Sequence, residues 1–148
     1  MQIIDKEIDL NLEKVLTSVK EIFQELISQE KIKDGNLVLW VPHEVSSLIQ
    51  IGWENGLTDD LINFLQDLAP EGKWTKHDEP NTPFRYNFFE HIRTKLIGTV
   101  SMTLIVKDGQ LILGKYQDLY FYSPVYKAIP QQKIFCRMLI FSKKKQAV

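Results

Sequence analysis

Three histidines are the residues of this 148-residue chain whose types could do chemistry together. His43 follows a proline at the end of an apolar run, and His77 and His91 flank a segment of acidic, asparagine and proline residues. Imidazole ligates divalent metals and exchanges protons near neutral pH. Because all three histidines stand beside turn residues at the edges of expected regular elements, we predict that they share one pocket.

Other polar residues have spacings that are compatible with a site but do not define one. The histidine spacing matches no local metal signature such as HExxH, and a single histidine is more often hydrogen-bonded or solvent-facing than functional. Three polar residues lie close to His77 in the sequence: Asp78, Glu79 and Asn81. They either orient the imidazoles through hydrogen bonds or are ordinary polar residues of a loop. Gln117, between two expected strands, either faces a ligand or pairs across the sheet. Only the tertiary fold can unite these residues.

Composition narrows the class of protein. With 44% apolar and 25% charged residues, the chain is expected to form one domain over residues 1–148 with a core of its own. Its net charge of −1 provides no general attraction to nucleic acid or to a membrane surface. The single cysteine, Cys136, excludes an internal disulfide and fits a reducing compartment, and no apolar run reaches the ~20 residues of a membrane span. We expect a cytoplasmic protein.

Hydrophobic periodicity predicts the elements that position the histidines. They are strands over 2–10, 36–41, 45–51, 100–107, 110–115, 119–122 and 133–142, and helices over 12–30, 58–68 and 85–96. Asn11 and Thr58 are expected to cap the first two helices, and Gly98 to end the third. A long polar loop is predicted over 69–83, and Asp108-Gly109 predicts a hairpin turn. The pattern is typical of an α+β fold with antiparallel sheets and three helices.

Four motifs follow one another between residues 36 and 141. They are PH after a strand, KHDE in a loop, HIRTKLIG, and VKDGQLILGKYQDLYF. In this order they resemble the YjbQ-like family, whose members are often described as secondary thiamine-phosphate synthases. His43, His77 and His91 match the three histidines of that family. Further positions in register are Asp78, Gly98, Gly109, Gly114 and Gln117.

The chain departs from the family pattern where that pattern carries carboxylates. An Asn-Glu-Asn-x-Asp segment reads Ile51-Gly52-Trp53-Glu54-Asn55 here, so both carboxylates are lost in strict register. Glu54 replaces one of them only after a small slip. The family's Trp-Gln-Gly turn reads Tyr116-Gln117-Asp118, and its Gly-Pro-Arg segment is replaced by residues 128–131. These changes weaken the expectation of general acid–base catalysis.

The resemblance implies a homotrimer with pockets near its subunit boundaries and a reaction at three histidines. That reaction joins a hydroxymethylpyrimidine diphosphate to a thiazole phosphate and releases pyrophosphate, whose charge a divalent metal, zinc by preference, or cationic groups would stabilise. The implied roles are catalysis by His43, His77, His91, Asp78 and Glu54, metal binding by His43, His77 and His91, and ligand binding by Asn81, Gln117 and Arg85. Arg93 and Lys95 are further cationic candidates.

Two other interpretations remain open from the sequence. One is a catalytically degenerate homotrimer that keeps the scaffold and binds a metal or a small phosphorylated ligand. The other is a structural oligomer without a site. At the C-terminal end, Lys143, Lys144 and Lys145 either touch phosphate or form a solvated tail.

Overall fold

A computed structural model describes residues 1–141 and confirms the predicted α+β fold. Its strands are β1 (Gln2–Asn11), β2 (Leu16–Ser18), β3 (Gly35–Trp40), β4 (Ser47–Gly52), β5 (Ser101–Lys107), β6 (Gln110–Leu111), β7 (Gln117–Tyr122) and β8 (Gln131–Ile140). Its helices are α1 (Lys20–Gln29), α2 (Leu57–Leu68) and α3 (Phe88–Ile97). Within this part of the chain no helix is long and apolar enough to cross a membrane.

Two antiparallel sheets contain all of these strands. A five-stranded sheet has the order β1-β8-β3-β5-β6, and a three-stranded sheet has the order β2-β7-β4. Alternate residues of β8 point inward, so Ile134, Cys136 and Met138 are buried with α1 residues such as Phe23 and Ile27. The two-residue period of a strand produces this one-sided burial.

The predicted helix over 12–30 is wrong in its first half. Asn11 ends β1 instead of capping a helix, and α1 begins only at Lys20. The backbone N–H of Leu12 donates to the carbonyl of Pro130, and that of Val19 to the carbonyl of Leu119. These long-range hydrogen bonds take the place of helical ones, although the apolar residues that gave the helical spacing are mostly buried: Leu12, Leu16, Val19, Phe23 and Leu26.

The second helix begins differently from the prediction. Gly56 holds the N-cap position in the left-handed region, with φ of 79°, and Thr58 lies inside α2 without a capping role. Glycine adopts a positive φ without a steric penalty, so the chain turns sharply here and enters the helix. Asp59 and Asp60 lie in the first turn, as expected, where the helix dipole favours negative charge.

The third helix is shorter than predicted but ends where expected. It begins at Phe88, so Arg85 lies in the preceding turns, and Gly98 follows its last residue. Gly98 has extended backbone, with φ of −134°, so it is not a left-handed stop. A Cβ at this position would lie 2.1 Å from Ser47 Oγ and 2.9 Å from the Leu48 carbonyl oxygen. Glycine is therefore required here for close approach to β4.

The C-terminal half is β structure as predicted. The Asp108-Gly109 hairpin is confirmed, with φ of 49° and 79° at its two residues. The strand after it is shorter than expected, because β6 spans only Gln110–Leu111. The last strand begins at Gln131, and the predicted end at Ser142 lies outside the described residues, as do Lys143, Lys144 and Lys145.

Candidate functional site

A cleft of about 310 Å³ brings together two of the three histidines. His43 follows β3 and its proline, and His91 is the fourth residue of α3. The residues around the cleft are Pro42, His43, Glu44, Val45, Ser46, Glu79, Phe84, Asn87, His91, Val125, Ile129 and Gln132. Its lining combines apolar side chains, such as Phe84, Val125 and Ile129, with polar and charged ones. The predicted pocket is thus present for His43 and His91.

His43 is held by a backbone hydrogen bond from β8. Its Nε2 accepts from the backbone N–H of Lys133 at 3.0 Å. Burial, followed by the positive charge of Lys133, holds the pKa of His43 below its ordinary value. A neutral imidazole that accepts at Nε2 carries its proton on Nδ1. His43 therefore offers the cleft an N–H donor, while its lone pair is already in use.

His77 packs against His91 beside this cleft. The two ring centroids are 4.9 Å apart and the rings are nearly perpendicular. His77 Nε2 is buried without a hydrogen-bond partner and lies 3.9 Å from a carboxylate oxygen of Glu79. The His77 ring also lines a neighbouring cavity beside Trp74 and Phe88. The fold thus joins His77 to His91, and His91 to the cleft of His43.

The Glu44 side chain, which lines the cleft, lies between those of His91 and Lys95. Its Oε1 lies 3.6 Å from His91 Nδ1 and 3.3 Å from Lys95 Nζ. Lys95, and after it His91, hold the pKa of Glu44 below its usual range. The Glu44 side chain is 69% exposed. An exposed carboxylate held by two nitrogen groups marks a position where an anion is favourable.

The side chains as they stand do not fit a three-histidine zinc site. Across residues 1–141, no three His, Cys, Asp or Glu side chains converge closely enough to hold a metal ion. Zinc requires a free lone pair from each imidazole, and that of His43 accepts the N–H of Lys133. A divalent ion at this place remains a prediction and would require His43 to give up that hydrogen bond.

Three predicted residues instead organise the loop before α3. Arg85 Nε and Nη2 donate to the two carboxylate oxygens of Asp78, both at 2.9 Å, and Nη2 also donates to the Tyr86 hydroxyl at 2.6 Å. The Arg85 guanidinium holds the pKa of Asp78 below its usual range. Asn81 is an exposed turn residue with φ of 68°. None of the three lines the cleft.

Two further predicted residues lie at the other end of β4. Ser46 lines the cleft just before β4, whereas Glu54 follows its far end. The first and last residues of this six-residue strand are five steps apart, which is roughly 17 Å at about 3.3 Å per step. Gln117 also lies at that end, where its Oε1 accepts from the backbone N–H of Gly114 at 2.7 Å and from Gln50 Nε2 at 2.8 Å. The fold does not bring Glu54 or Gln117 to the cleft.

The polar floor of the cleft was missed by sequence reasoning. Ser46 Oγ donates to Gln132 Oε1 at 2.5 Å, and Gln132 Nε2 donates to Ser123 Oγ at 2.8 Å. All three side chains are buried. The available signal was three small or neutral polar residues next to apolar strand segments, because buried polar groups need partners. Asn87, a position within the predicted helix over 85–96, was not singled out either, yet it is buried with Oδ1 unpaired at the cleft.

Comparison with known proteins places these features in a family. The family model described as "UPF0047 protein YjbQ-like" matches residues 6–138. A UPF0047 protein of Methanocaldococcus jannaschii is 33% identical over 116 residues, which are 78% of this chain and 79% of that protein. A UPF0047 protein of Archaeoglobus fulgidus is 33% identical over 89 residues, 60% of this chain and 67% of that protein.

Solved structures share the same fold. A YbjQ-like protein of unknown function from Sulfolobus solfataricus superposes with a TM-score of 0.78 at 16% identity, over 95% of this chain and 99% of that one. An uncharacterised YjbQ/UPF0047 protein from Clostridium acetobutylicum has a TM-score of 0.74 at 21% identity, over 90% of this chain and 99% of that one. With the family model covering nearly all of the chain, this protein belongs to the YjbQ-like UPF0047 family.

Proposed function

We propose that this chain is a small-molecule binding protein whose cleft takes a small phosphorylated ligand. The observation that carries the proposal is the position of the Glu44 carboxylate between His91 and Lys95. Exposed ion pairs contribute at most about 1 kcal/mol, so a ligand phosphate can displace Glu44 at little cost. The phosphate would then accept from His91, which lines the cleft, and from Lys95, which lies beside the lining residue Glu44 and also donates to its backbone carbonyl at 3.1 Å.

The remainder of the cleft supports an organic ligand with polar substituents. Phe84, Val125 and Ile129 supply an apolar wall for a ring. Among the polar lining residues, His43 carries a donor at Nδ1–H, and the unpaired Asn87 Oδ1 is an acceptor for a ligand N–H or O–H. A volume of about 310 Å³ suits a single small ring with a phosphate.

The geometry favours binding over the thiamine-phosphate synthase reaction. Of the two acids expected to assist that reaction, Glu54 lies beyond the far end of β4 and Asp78 is paired with Arg85. Glu79 lines the cleft and lies 3.9 Å from His77, but neither acid of the implied catalytic set is there to assist proton transfer by His43 and His91. We therefore propose that this chain is a catalytically degenerate member of the family that assembles as a homotrimer. Light scattering would measure the mass of the assembly.

Calorimetric titration tests the binding proposal directly. Wild-type protein is titrated with a thiazole phosphate, a hydroxymethylpyrimidine phosphate and pyrophosphate. Charge-assisted hydrogen bonds contribute about 1.5–3 kcal/mol, so His91→Ala and Lys95→Ala are each expected to weaken binding at least about tenfold. Glu44→Gln is expected to strengthen it, since a competing carboxylate is removed. Lys107→Ala, on β5, is the matched lysine control and should bind like wild type.

Two results would contradict the binding proposal. One is no heat with any of the three compounds at millimolar concentration. The other is equal affinity of wild type and His91→Ala. Turnover is measured in parallel by mixing the pyrimidine diphosphate with the thiazole phosphate and following pyrophosphate release. Steady turnover would favour the synthase over the degenerate binding protein. Its loss in Glu54→Gln would show that a residue outside the cleft lining takes part in the reaction.

A further inference from the structure

A second cavity of about 450 Å³ lies between α2, α3 and β7. Its lining residues are Val15, Ile62, Leu65, Gln66, Glu71, Phe89, Glu90, Arg93, Tyr122, Pro124, Tyr126 and Lys127. None of them lines the histidine cleft, although α3 borders both cavities. The volume falls within the range of small-ligand sites in proteins.

Arg93 is the fixed cationic group of this cavity. Its Nε donates to the backbone carbonyl of Ala69 at 3.0 Å, and its guanidinium carbon lies 4.7 Å from the centre of the Phe89 ring. These two contacts orient the guanidinium plane. Among residues 1–141, no carboxylate lies within ion-pair distance of Arg93. Its two terminal nitrogens are therefore available for a bidentate carboxylate.

Tyr122 supplies a second donor from β7. The side chain is only 2% exposed. Burial raises the pKa of Tyr122 to about 12, while the charge of Arg93 lowers it and that of Glu90 raises it. The phenol therefore stays protonated near neutral pH and lies within the electrostatic reach of both groups. Its O–H can donate to an anion that Arg93 holds.

The acids of the cavity limit the charge that a ligand can carry. Burial raises the pKa of Glu90, whose Oε2 accepts a hydrogen bond from Asn87 Nδ2 at 3.0 Å. Glu71 is exposed, and Lys127, at the other side, has its ammonium 5.9 Å from the Tyr126 ring centre. With two acids nearby, a phosphate dianion is repelled more strongly than a carboxylate monoanion.

We propose that this cavity binds a small aromatic carboxylate, with the carboxylate on Arg93 and Tyr122 and the ring against the apolar wall. That wall consists of Val15, Ile62, Leu65, Phe89 and Pro124. The site is separate from the proposed phosphate site, so one can fail in experiment without the other. A carboxylate that accepts from the two terminal nitrogens of Arg93 would satisfy the hydrogen-bonding capacity of the one half-buried guanidinium that lines the cavity.

Chemical-shift titration with benzoate, and with benzamide as its neutral counterpart, tests this site. Benzoate is expected to shift resonances of residues that line the cavity and to bind at least about tenfold more tightly than benzamide, because Arg93 supplies a charge-assisted pair. Arg93→Gln should weaken benzoate binding at least about tenfold, and Tyr122→Phe a few-fold. Arg137→Gln is the matched arginine control, since Arg137 pairs with Asp5 on β1. Excess pyrophosphate should not compete.

Three outcomes would overturn the proposal. They are no benzoate shifts at millimolar concentration, equal binding of benzoate and benzamide, and displacement of benzoate by pyrophosphate. The comparison of benzoate with benzamide and the Tyr122→Phe variant keep the test decisive if Arg93→Gln does not fold.

Discussion

Replacing Gln132 by methionine should destabilise the fold through the polar floor of the cleft. The Gln132 amide accepts from Ser46 Oγ at 2.5 Å and donates to Ser123 Oγ at 2.8 Å and to the Ile129 carbonyl at 2.9 Å. Methionine has a similar length but makes none of these bonds. At about 1 kcal/mol for each bond, the free energy of unfolding should fall by roughly 3 kcal/mol. Gln132 is 4% exposed, so water does not replace the lost partners.

Urea unfolding of matched variants measures this loss. Gln131→Met changes the preceding, exposed glutamine in the same way and should alter stability by less than about 0.5 kcal/mol. In thermal unfolding the Gln132→Met loss corresponds to roughly 9 °C, at about 3 °C per kcal/mol for a chain of this length. Adding Ser46→Ala should cost less in the Gln132→Met background than in wild type, because the two side chains share a bond. Equal stability of Gln131→Met and Gln132→Met would refute the reasoning.

Three further predictions concern close approach and buried ionisation. Gly98→Ala should destabilise the fold by about 1–3 kcal/mol in urea unfolding, because its Cβ would clash with Ser47 Oγ. Gly35→Ala should destabilise it more, because its Cβ would lie 2.3 Å from the backbone carbonyl oxygen of Leu139. Burial raises the pKa of Cys136 to about 12. The Cys136 thiol of native protein at pH 8 should therefore react with iodoacetamide far more slowly than that of protein in urea. Equal reaction rates would contradict this prediction. The raised pKa also contributes stability that is present below pH 9.0, the ordinary thiol value, and is lost as the pH rises toward about 12. The free energy of unfolding should therefore fall between pH 8 and pH 10, and this fall should be smaller by about 1 kcal/mol in Cys136→Val than in wild type.

Local patterns predicted the existence of elements, whether their partners are near or far: β5 and β6 adjoin in sequence, whereas β1 pairs with β8 about 130 residues away. The alternation of β1 and the Asp108-Gly109 hairpin depend on neighbouring residues, and both predictions are confirmed. The first half of the predicted helix over 12–30 is wrong because Leu12 and Val19 donate to Pro130 and Leu119, which lie about a hundred residues away. Three- and four-residue spacing reports burial, but it does not reveal which backbone carbonyl a buried N–H will find.

The sequence by itself determined the α+β class and the three imidazoles, because residue type and period are local properties. Only the tertiary structure decided what those imidazoles can do. In the fold, the Nε2 lone pair of His43 accepts the backbone N–H of Lys133, His77 packs against His91, and Glu54 lies beyond the far end of β4. The physical reason is that the availability of a nitrogen depends on its partners, and the fold chooses partners far along the chain.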